Sequence, residues 1–471
     1  MDTIEYELGM VGLGVMGRNL VLNFADHGFP VSGFDKDPSK VSALNTEGAG
    51  KLIKGVNSLQ EFIAILKKPR VVMMLVPAGA PVDSVINDVL PFLEPGDLVI
   101  DGGNSHFTDT NKRFKELSDK KINFLGVGIS GGEQGARFGP SIMPGGPLDA
   151  YERIRPMFEA ASAKVNGSNC VKYLGTGSAG HYVKMVHNGI EYGLMQLISE
   201  TYDLLKRGLN FTNDEIHDTF DTWNKNELQS FLIEITADIF LQPDANKSGR
   251  LIDNILDKAK QKGTGKWTSQ DAMDLQVPLN TIDAAVAMRD MSAYKEEREN
   301  AAKIFPSNQY LFNGDRKVFA NKLRGALYFS MIITYAQGMS MLNIASREYH
   351  YDLKLKDIAK IWRGGCIIRA SLLEEIAVAF ENDPDLPNLL VNSGISKEIN
   401  KRLENIRFII KSAIDLEIPV PAFSSSLSYF DSYRSAWLPA NLVQAQRDFF
   451  GSHTYERVDE KGVYHTLWNK I

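Results

Sequence analysis

Apolar and polar positions alternate in two different rhythms along this chain. Residues 5–35 hold an apolar run, YELGMVG, then a glycine turn opening a helix, GLGVMGRNLVLNFADHG, then a second apolar run, FPVSGFD, that ends in an acid. Further short apolar runs fall at Val71–Val76, Leu98–Asp101 and Asn123–Val127, with helix-periodic stretches between the first pairs. Strands alternating with helices predict a parallel sheet covered on both faces. The rhythm holds to about residue 178, where YLGTGSAGH closes it. From there to about 434 the period lengthens. The segments 181–206, 226–240, 249–261, 318–345 and 367–380 read as long helices with few strand signals between them. An α/β domain over 1–178, a large all-α domain over 179–434 and a tail over 435–471 are therefore expected. The tail is rich in aromatics and charges and too short to fold alone, so it must pack on its own domain or on another subunit. A weak internal echo runs through the helical part: KMVHNGIEYGLMQLISETYDLL from Lys184 resembles KLRGALYFSMIITYAQGMSMLN from Lys322, with Trp223 and Trp362 at nearly the same offset. This predicts a duplicated helical unit.

One helical stripe breaks the apolar rule. In HYVKMVHNGIEY, Lys184, His187, Asn188 and Glu191 stand at i, i+3, i+4 and i+7, one face of a helix. Val183, Met185, Val186 and Ile190 cover much of the remaining circumference, so the helix is expected inside the protein. Ionisable groups there cost free energy unless partnered, and burial is how a lysine or glutamate acquires a catalytic pKa. The second copy of the echo has Gly325, Ala326 and Phe329 at the stripe positions. Only the first copy carries chemistry. Taken alone, a buried lysine–glutamate pair is more often a structural ion pair, and His187 a satisfied core histidine.

The turn at Gly12-Leu13-Gly14-Val15-Met16-Gly17 is a full G-x-G-x-x-G between an apolar run and a helix. Its glycines permit a tight turn and let backbone N–H groups approach a pyrophosphate at a helix N-terminus. Asp35 ends the second strand about 20 residues on, where a dinucleotide fold places an acid on the ribose hydroxyls. This makes the N-terminal domain Rossmann-type. A carboxylate there favours NAD and repels the 2′-phosphate of NADP; Lys36 partly offsets that repulsion and Asp37 adds to it.

Composition narrows the partners. The 471 residues carry a net charge of −6, which offers no basic surface for nucleic acid or membrane. Two cysteines exclude a disulfide scaffold and suit a reducing cytoplasm. The first residues, with acids at Asp2, Glu5 and Glu7, lack the basic start of a signal peptide, and apolar runs such as 71–76 are too short to span a bilayer. No metal site is expected: Asp253…Asp257 and Asp271…Asp274 lack the partners of a hard-cation site and read as solvated helix faces.

The chain closely resembles the decarboxylating 6-phosphogluconate dehydrogenase family, of the β-hydroxyacid dehydrogenase superfamily. The resemblance runs nearly end to end through GLGVMGRNL (12–20), DGGNS (101–105), GVGISGGEQGARFGPSIMPGG (126–146), KMVHNGIEY (184–192), KGTGKWT (262–268), IWRGGCIIR (361–369) and QAQRDFFGSHTYER (444–457). It implies a metal-free homodimer that oxidises 6-phospho-D-gluconate at C3 and releases CO2 to give D-ribulose 5-phosphate, in the pentose phosphate pathway, with NADP or NAD as cofactor. It implies Lys184 as general base and Glu191 as the acid that protonates the enol. Asn104, His187 and Asn188 match ligands of the substrate hydroxyls and carbonyl, and Ser130, Gly131 and Gly132 the loop at its carboxylate. Tyr192, Lys262, Thr264 and Arg289 match the phosphate ligands; Arg447 and His453 match residues donated by the neighbouring subunit's tail. Two departures stand out. NADP-using members typically read Asn-Arg-Thr where this chain has Asp35-Lys36-Asp37. Members often have Val-Lys-Ala-Gly where it has Val76-Pro77-Ala78-Gly79, which loses a lysine near the cofactor. The rival readings are a shorter 3-hydroxyisobutyrate-type dehydrogenase, which lacks the second helical repeat and the tail, and a non-catalytic dinucleotide-binding protein, which has no use for the lysine–glutamate stripe.

Overall fold

The computed structural model describes residues 4–308 and 310–468; Asp2 and the last three positions of the tail lie outside the described residues. Two compact units emerge, one ending at Ser426 and the other beginning at Leu427.

The first unit opens on a seven-stranded sheet. Its strands are β1 (Leu8–Val11), β2 (Val31–Phe34), β3 (Ile53–Val56), β4 (Val71–Met74), β5 (Leu98–Asp101), β6 (Asn123–Ser130) and β7 (Ser141–Gly145). They lie in the order β3-β2-β1-β4-β5-β6-β7, all parallel except β7, which runs antiparallel beside β6. The period of two sorts the side chains. Val71, Met73, Leu98 and Ile100 enter one buried cluster; Val72, Met74 and Val99 enter another. Two strands were silent in the pattern. β3 reads IKGV and is only partly covered, and β7 carries Pro144, which an edge strand tolerates.

Helices make up most of the rest of that unit, beside a small antiparallel pair of strands, Lys164–Val165 and Ser168–Asn169. The helix Ala179–Asp203 is buried along its whole stretch from Ala179 to Ile190. Its neighbours approach through missing side chains. A Cβ built at Gly128 of β6 would lie 2.4 Å from the Lys184 Cβ, and one at Gly189 would lie 2.6 Å from Thr268. These glycines press the sheet and the helix Thr264–Asp274 directly onto the Lys184 helix. The longest helix, Arg316–Glu348, packs on it as well, with Gly338 under Ile190.

One helical expectation is corrected. Residues 249–261 form only a short 3-10 turn at Leu251–Asn254. Leu251, Ile255 and Leu256 stay exposed. A helix gains most of its stability from packing an apolar face, and here Leu251, Ile255 and Leu256 are left uncovered while the segment is held by polar contacts such as Asn213 to Asp253 and Gln261 to Asp290.

In the second unit the helix Ala440–Gly451 is tied to the strand-like segment after it by one carboxylate. Asp448, fully buried, accepts from the Thr454 amide (2.9 Å), His465 Nδ1 (2.8 Å), the Thr466 amide (3.0 Å) and the Trp468 indole (2.8 Å). Those donors hold its carboxyl far below the usual carboxylate range despite the opposing cost of burial. Leu442, Val443, Phe449 and Phe450 face outward and exposed.

Candidate active site

The Lys184 helix carries the four stripe residues into one place. Lys184, His187 and Asn188 are buried, and Glu191 is partly covered. Burial pushes the lysine's pKa down, opposed by Glu191 and Cys366. Burial pushes the glutamate's up, opposed by Lys184 and Arg289. Both shifts run toward the uncharged form, as desolvation requires. Glu191 stands seven positions after Lys184, about 10 Å along the axis, the length of a short sugar chain.

His187 lies between them and is fully buried. Its Nδ1 is 3.1 Å from Asn188 Oδ1 and its Nε2 3.3 Å from Ser130 Oγ. The amide oxygen only accepts, so the ring proton sits on Nδ1 and Nε2 accepts from the serine hydroxyl. Burial, reinforced by the Lys184 charge, drives the imidazole's pKa well below its ordinary value. The 3.9 Å approach of Nδ1 to Glu191 is therefore no ion pair. The indole of Trp362 stands edge-on to the ring, 5.5 Å away at 77°, and fixes its plane.

Ser130 ends β6. Gly131 follows at φ 121°, and a Cβ there would stand 2.6 Å from the Gly365 carbonyl oxygen. Only glycine allows the 361–369 segment to brace this loop, whose next residue, Gly132, opens a helix at φ 61°. Trp362 and Cys366 of that segment thus lie beside His187 and Lys184. Cys366 is buried, its thiol pushed up to about 12, so it holds no thiolate. Nothing local in the sequence marks either residue as part of the site, because each reaches it from a distant part of the chain.

The expected phosphate ligands partly converge. Arg289 stacks its guanidinium 3.4 Å from the centre of the Tyr192 ring. A Cβ at Gly265 would collide with that same ring at 2.4 Å, so the loop at Lys262 and Thr264 lies against Tyr192. Thr264 is buried in the first turn of its helix, whose cap is Gly263 at φ 97°, and Lys262 is exposed just before it. Asn104 is exposed at the end of the β5 turn. Arg447 and His453 belong to the second unit, where Arg447 bonds Gln444 at 3.0 Å and His453 packs edge-on to Phe450.

The glycine turn accommodates a dinucleotide. Gly12 has φ 94°, and a Cβ there would meet the Leu75 carbonyl at 2.6 Å; one at Gly14 would project into open space. Gly17 lies so close to the Gly12 carbonyl that no side chain fits. The following helix starts at Val15 without a side-chain cap, and Met16 and Val15 border the turn. Asp35 accepts from the Leu13 amide (2.8 Å) and the Asp37 amide (2.9 Å). Asp37 caps the next helix through Ser39. Lys36 is paired with Asp88 at 2.9 Å, and Lys40 stands 3.5 Å from Asp35. Val76, Pro77 and Ala78 follow the end of β4, and the Val76 side chain would stand 3.0 Å from a Cβ at Gly12.

Another expectation is corrected here. Asp271 is no solvated face: it is buried and accepts the hydroxyls of Tyr182 (2.5 Å) and Tyr349 (2.7 Å). Its partners come from the Lys184 helix and from the residue that follows the helix Arg316–Glu348, out of reach of a local reading. Among the described residues no group of three His, Cys, Asp or Glu is placed to hold a metal ion.

Residues 7–175 match the NAD-binding domain of 6-phosphogluconate dehydrogenase, and residues 180–468 match that family's C-terminal domain. A Bacillus subtilis protein named NADP(+)-dependent, decarboxylating 6-phosphogluconate dehydrogenase is 50% identical over 99% of this chain and 100% of its own length. A Synechocystis decarboxylating 6-phosphogluconate dehydrogenase is likewise 50% identical, over 98% of this chain and 97% of its own. The Plasmodium falciparum 6-phosphogluconate dehydrogenase, solved with NADP+ and with 6-phosphogluconate, superposes with a TM-score of 0.95 at 44% identity, covering 98% of this chain and 100% of that one. With both halves and the full length matched, this chain belongs to the 6-phosphogluconate dehydrogenase family.

Proposed function

We propose that this protein converts 6-phospho-D-gluconate to D-ribulose 5-phosphate and CO2, with NAD preferred over NADP as hydride acceptor. The observation that carries the reaction is the buried pair. Burial pushes the Lys184 pKa down and the Glu191 pKa up, which favours the free amine and the protonated carboxyl that the reaction uses.

The neutral Lys184 amine takes the proton of the C3 hydroxyl. The dinucleotide, when bound, accepts the C3 hydride. Asn188 and the new Lys184 ammonium polarise the resulting C3 carbonyl, so the C1–C2 bond breaks and its electron pair moves toward that oxygen. Lys184 returns its proton to the oxygen, giving an enediol and CO2. Glu191 then protonates C2 while Lys184 takes the C3 hydroxyl proton again. Proton transfer from Lys184 to Glu191 restores both groups, and no proton is gained or lost overall. Asn104 and His187 hold the substrate hydroxyls beside Asn188, and Ser130, Gly131 and Gly132 receive the carboxylate end. Tyr192, Lys262, Thr264 and Arg289 take the phosphate, with Arg447 and His453 of a second subunit.

Asp35 carries the cofactor preference. Its carboxylate is held on the glycine turn by the Leu13 amide, where it would meet a ribose hydroxyl and repel a 2′-phosphate. Lys36 is already paired with Asp88 and offers little compensation. We further propose a cytoplasmic homodimer built as a 1–178 dinucleotide domain, a 179–434 helical domain and a 435–471 tail that completes the partner's site. Two unpaired, buried thiols suit a reducing compartment, and among the described residues no helix is long and apolar enough to cross a membrane. Initial rates with 6-phosphogluconate and each dinucleotide test this. A kcat/KM at least about tenfold higher with NAD is expected. Preference for NADP overturns the cofactor reading, and no reduction of either overturns the reaction.

A further inference from the structure

We propose that Arg113 is a positioning residue that holds the turn after β4 and the turn carrying Asn104 in one register with the Lys184 helix. Arg113 sits in the helix Phe107–Ser118 with its side chain only 4% exposed. Burying a guanidinium costs free energy unless its donors are placed, and here they are distributed among separate segments. Nε donates to Asp83 Oδ1 at 2.7 Å, in the first turn of the helix Ala80–Val89. Nη2 donates to the Gly79 carbonyl at 3.1 Å, at the end of the Val76–Gly79 turn. Nη1 donates to Ser105 Oγ at 3.3 Å and lies 3.7 Å from Asp101 Oδ2.

Asp101 carries the arrangement inward. It ends β5, is fully buried, and accepts from the Ser105 hydroxyl (2.5 Å) and the Gly103 amide (2.9 Å), so it shapes the turn on either side of Asn104. Its carbonyl accepts from His181 Nε2 at 3.1 Å. His181 stands one turn before Lys184 on the same helix. Its other nitrogen, Nδ1, takes the Thr110 hydroxyl at 2.7 Å, and Thr110 lies one turn before Arg113. The chain of bonds closes on itself. One cation thereby fixes the backbone beside the cofactor, the loop beside the substrate and the rod that bears the base.

The consequence rests on the reaction assigned above. Hydride transfer needs the substrate carbon, the dinucleotide and Lys184 in one line, and a displacement of about 1 Å costs about 100-fold in rate. A lysine keeps the charge but cannot span three segments. The test is steady-state kinetics of Arg113→Lys and Asp83→Asn with both substrates varied, beside the thermal midpoint. For Arg113→Lys, kcat should fall about 10- to 100-fold while KM for 6-phosphogluconate changes less than about threefold, since its phosphate ligands lie on other elements. Asp83 is half-exposed, so Asp83→Asn should fold normally. It should raise KM for the dinucleotide about threefold or more. A purely structural role would lower the midpoint and leave kcat per folded enzyme intact. Soluble Arg113→Lys with wild-type kcat overturns the proposal; if that variant fails to fold, an unchanged dinucleotide KM in Asp83→Asn overturns it. Wild-type enzyme inert toward the acid sinks the reaction and this inference together, whereas an active wild type with kinetically normal variants sinks the inference alone.

Discussion

Lys184 and Glu191 would be ions in water; the fold moves each toward its neutral form. Two measurements follow at this scale. Lys184→Ala should lower kcat by at least about 10³-fold with the dinucleotide dissociation constant unchanged, because the side chain acts on the hydroxyl. Fluorescence titration beside turnover checks both halves. The pH profile has a definite sign. The amine must be free, so the rate rises with pH through a lysine pKa below its ordinary value. The carboxyl must hold its proton, so the rate falls through a glutamate pKa above its ordinary value. Glu191→Gln should remove the alkaline fall while slowing turnover, and a fall that persists would place it on another group. The stripe was legible in the chain because helical spacing is a local property. Trp362 against His187, and Asp271 under two tyrosines, were not, since their partners are far away in sequence and only folding joins them.

Elements were legible where their own pattern decides them. β4 is apolar throughout and β5 is apolar up to its closing Asp101, which makes both legible, and the Lys184 helix is legible because it is long. β7 was missed because Pro144 argues against a strand unless its edge position is known. The stretch 249–261 was read as a helix because its period is right, yet its apolar side chains find nothing to cover them. Glu200 shows how one element can hold another. It lies further along the Lys184 helix, buried, and its carboxylate accepts from the amides of Ala422 (2.8 Å) and Phe423 (3.0 Å) at the start of the helix Pro421–Tyr433. Burial, despite those bonds, pushes its pKa up to about 7. The folded form therefore keeps a proton that the unfolded chain releases above about pH 4.5. That contribution to stability is full below about pH 4.5 and is lost as pH rises through about 7. Glu200→Gln should flatten this slope, changing the pH 5 to pH 8 difference in unfolding free energy by up to about 3 kcal/mol. Urea midpoints at the two values measure it, and parallel slopes in both proteins would exclude Glu200 as the source.

At the scale of the whole molecule, the order of sheet, helices and tail was legible, because each has its own periodicity and composition. The proposed sharing of a site between subunits was legible only through the family resemblance, because a chain does not record where its copy stands. The proposal that Arg447 and His453 serve a neighbouring subunit supplies a sharp expectation. Arg447→Ala should raise KM for the phosphorylated acid with little change in KM for the dinucleotide. The tail's internal organisation around Asp448 has a further consequence. The two side chains proposed to serve a partner sit on a piece tied together by its own hydrogen bonds, so on that proposal a crippled chain can still lend a sound tail. Two inactive proteins, one with Lys184→Ala and one with the tail cut away, should therefore complement each other when their subunits are allowed to exchange. Random pairing yields mixed dimers bearing one whole centre, and roughly a quarter of wild-type turnover should return.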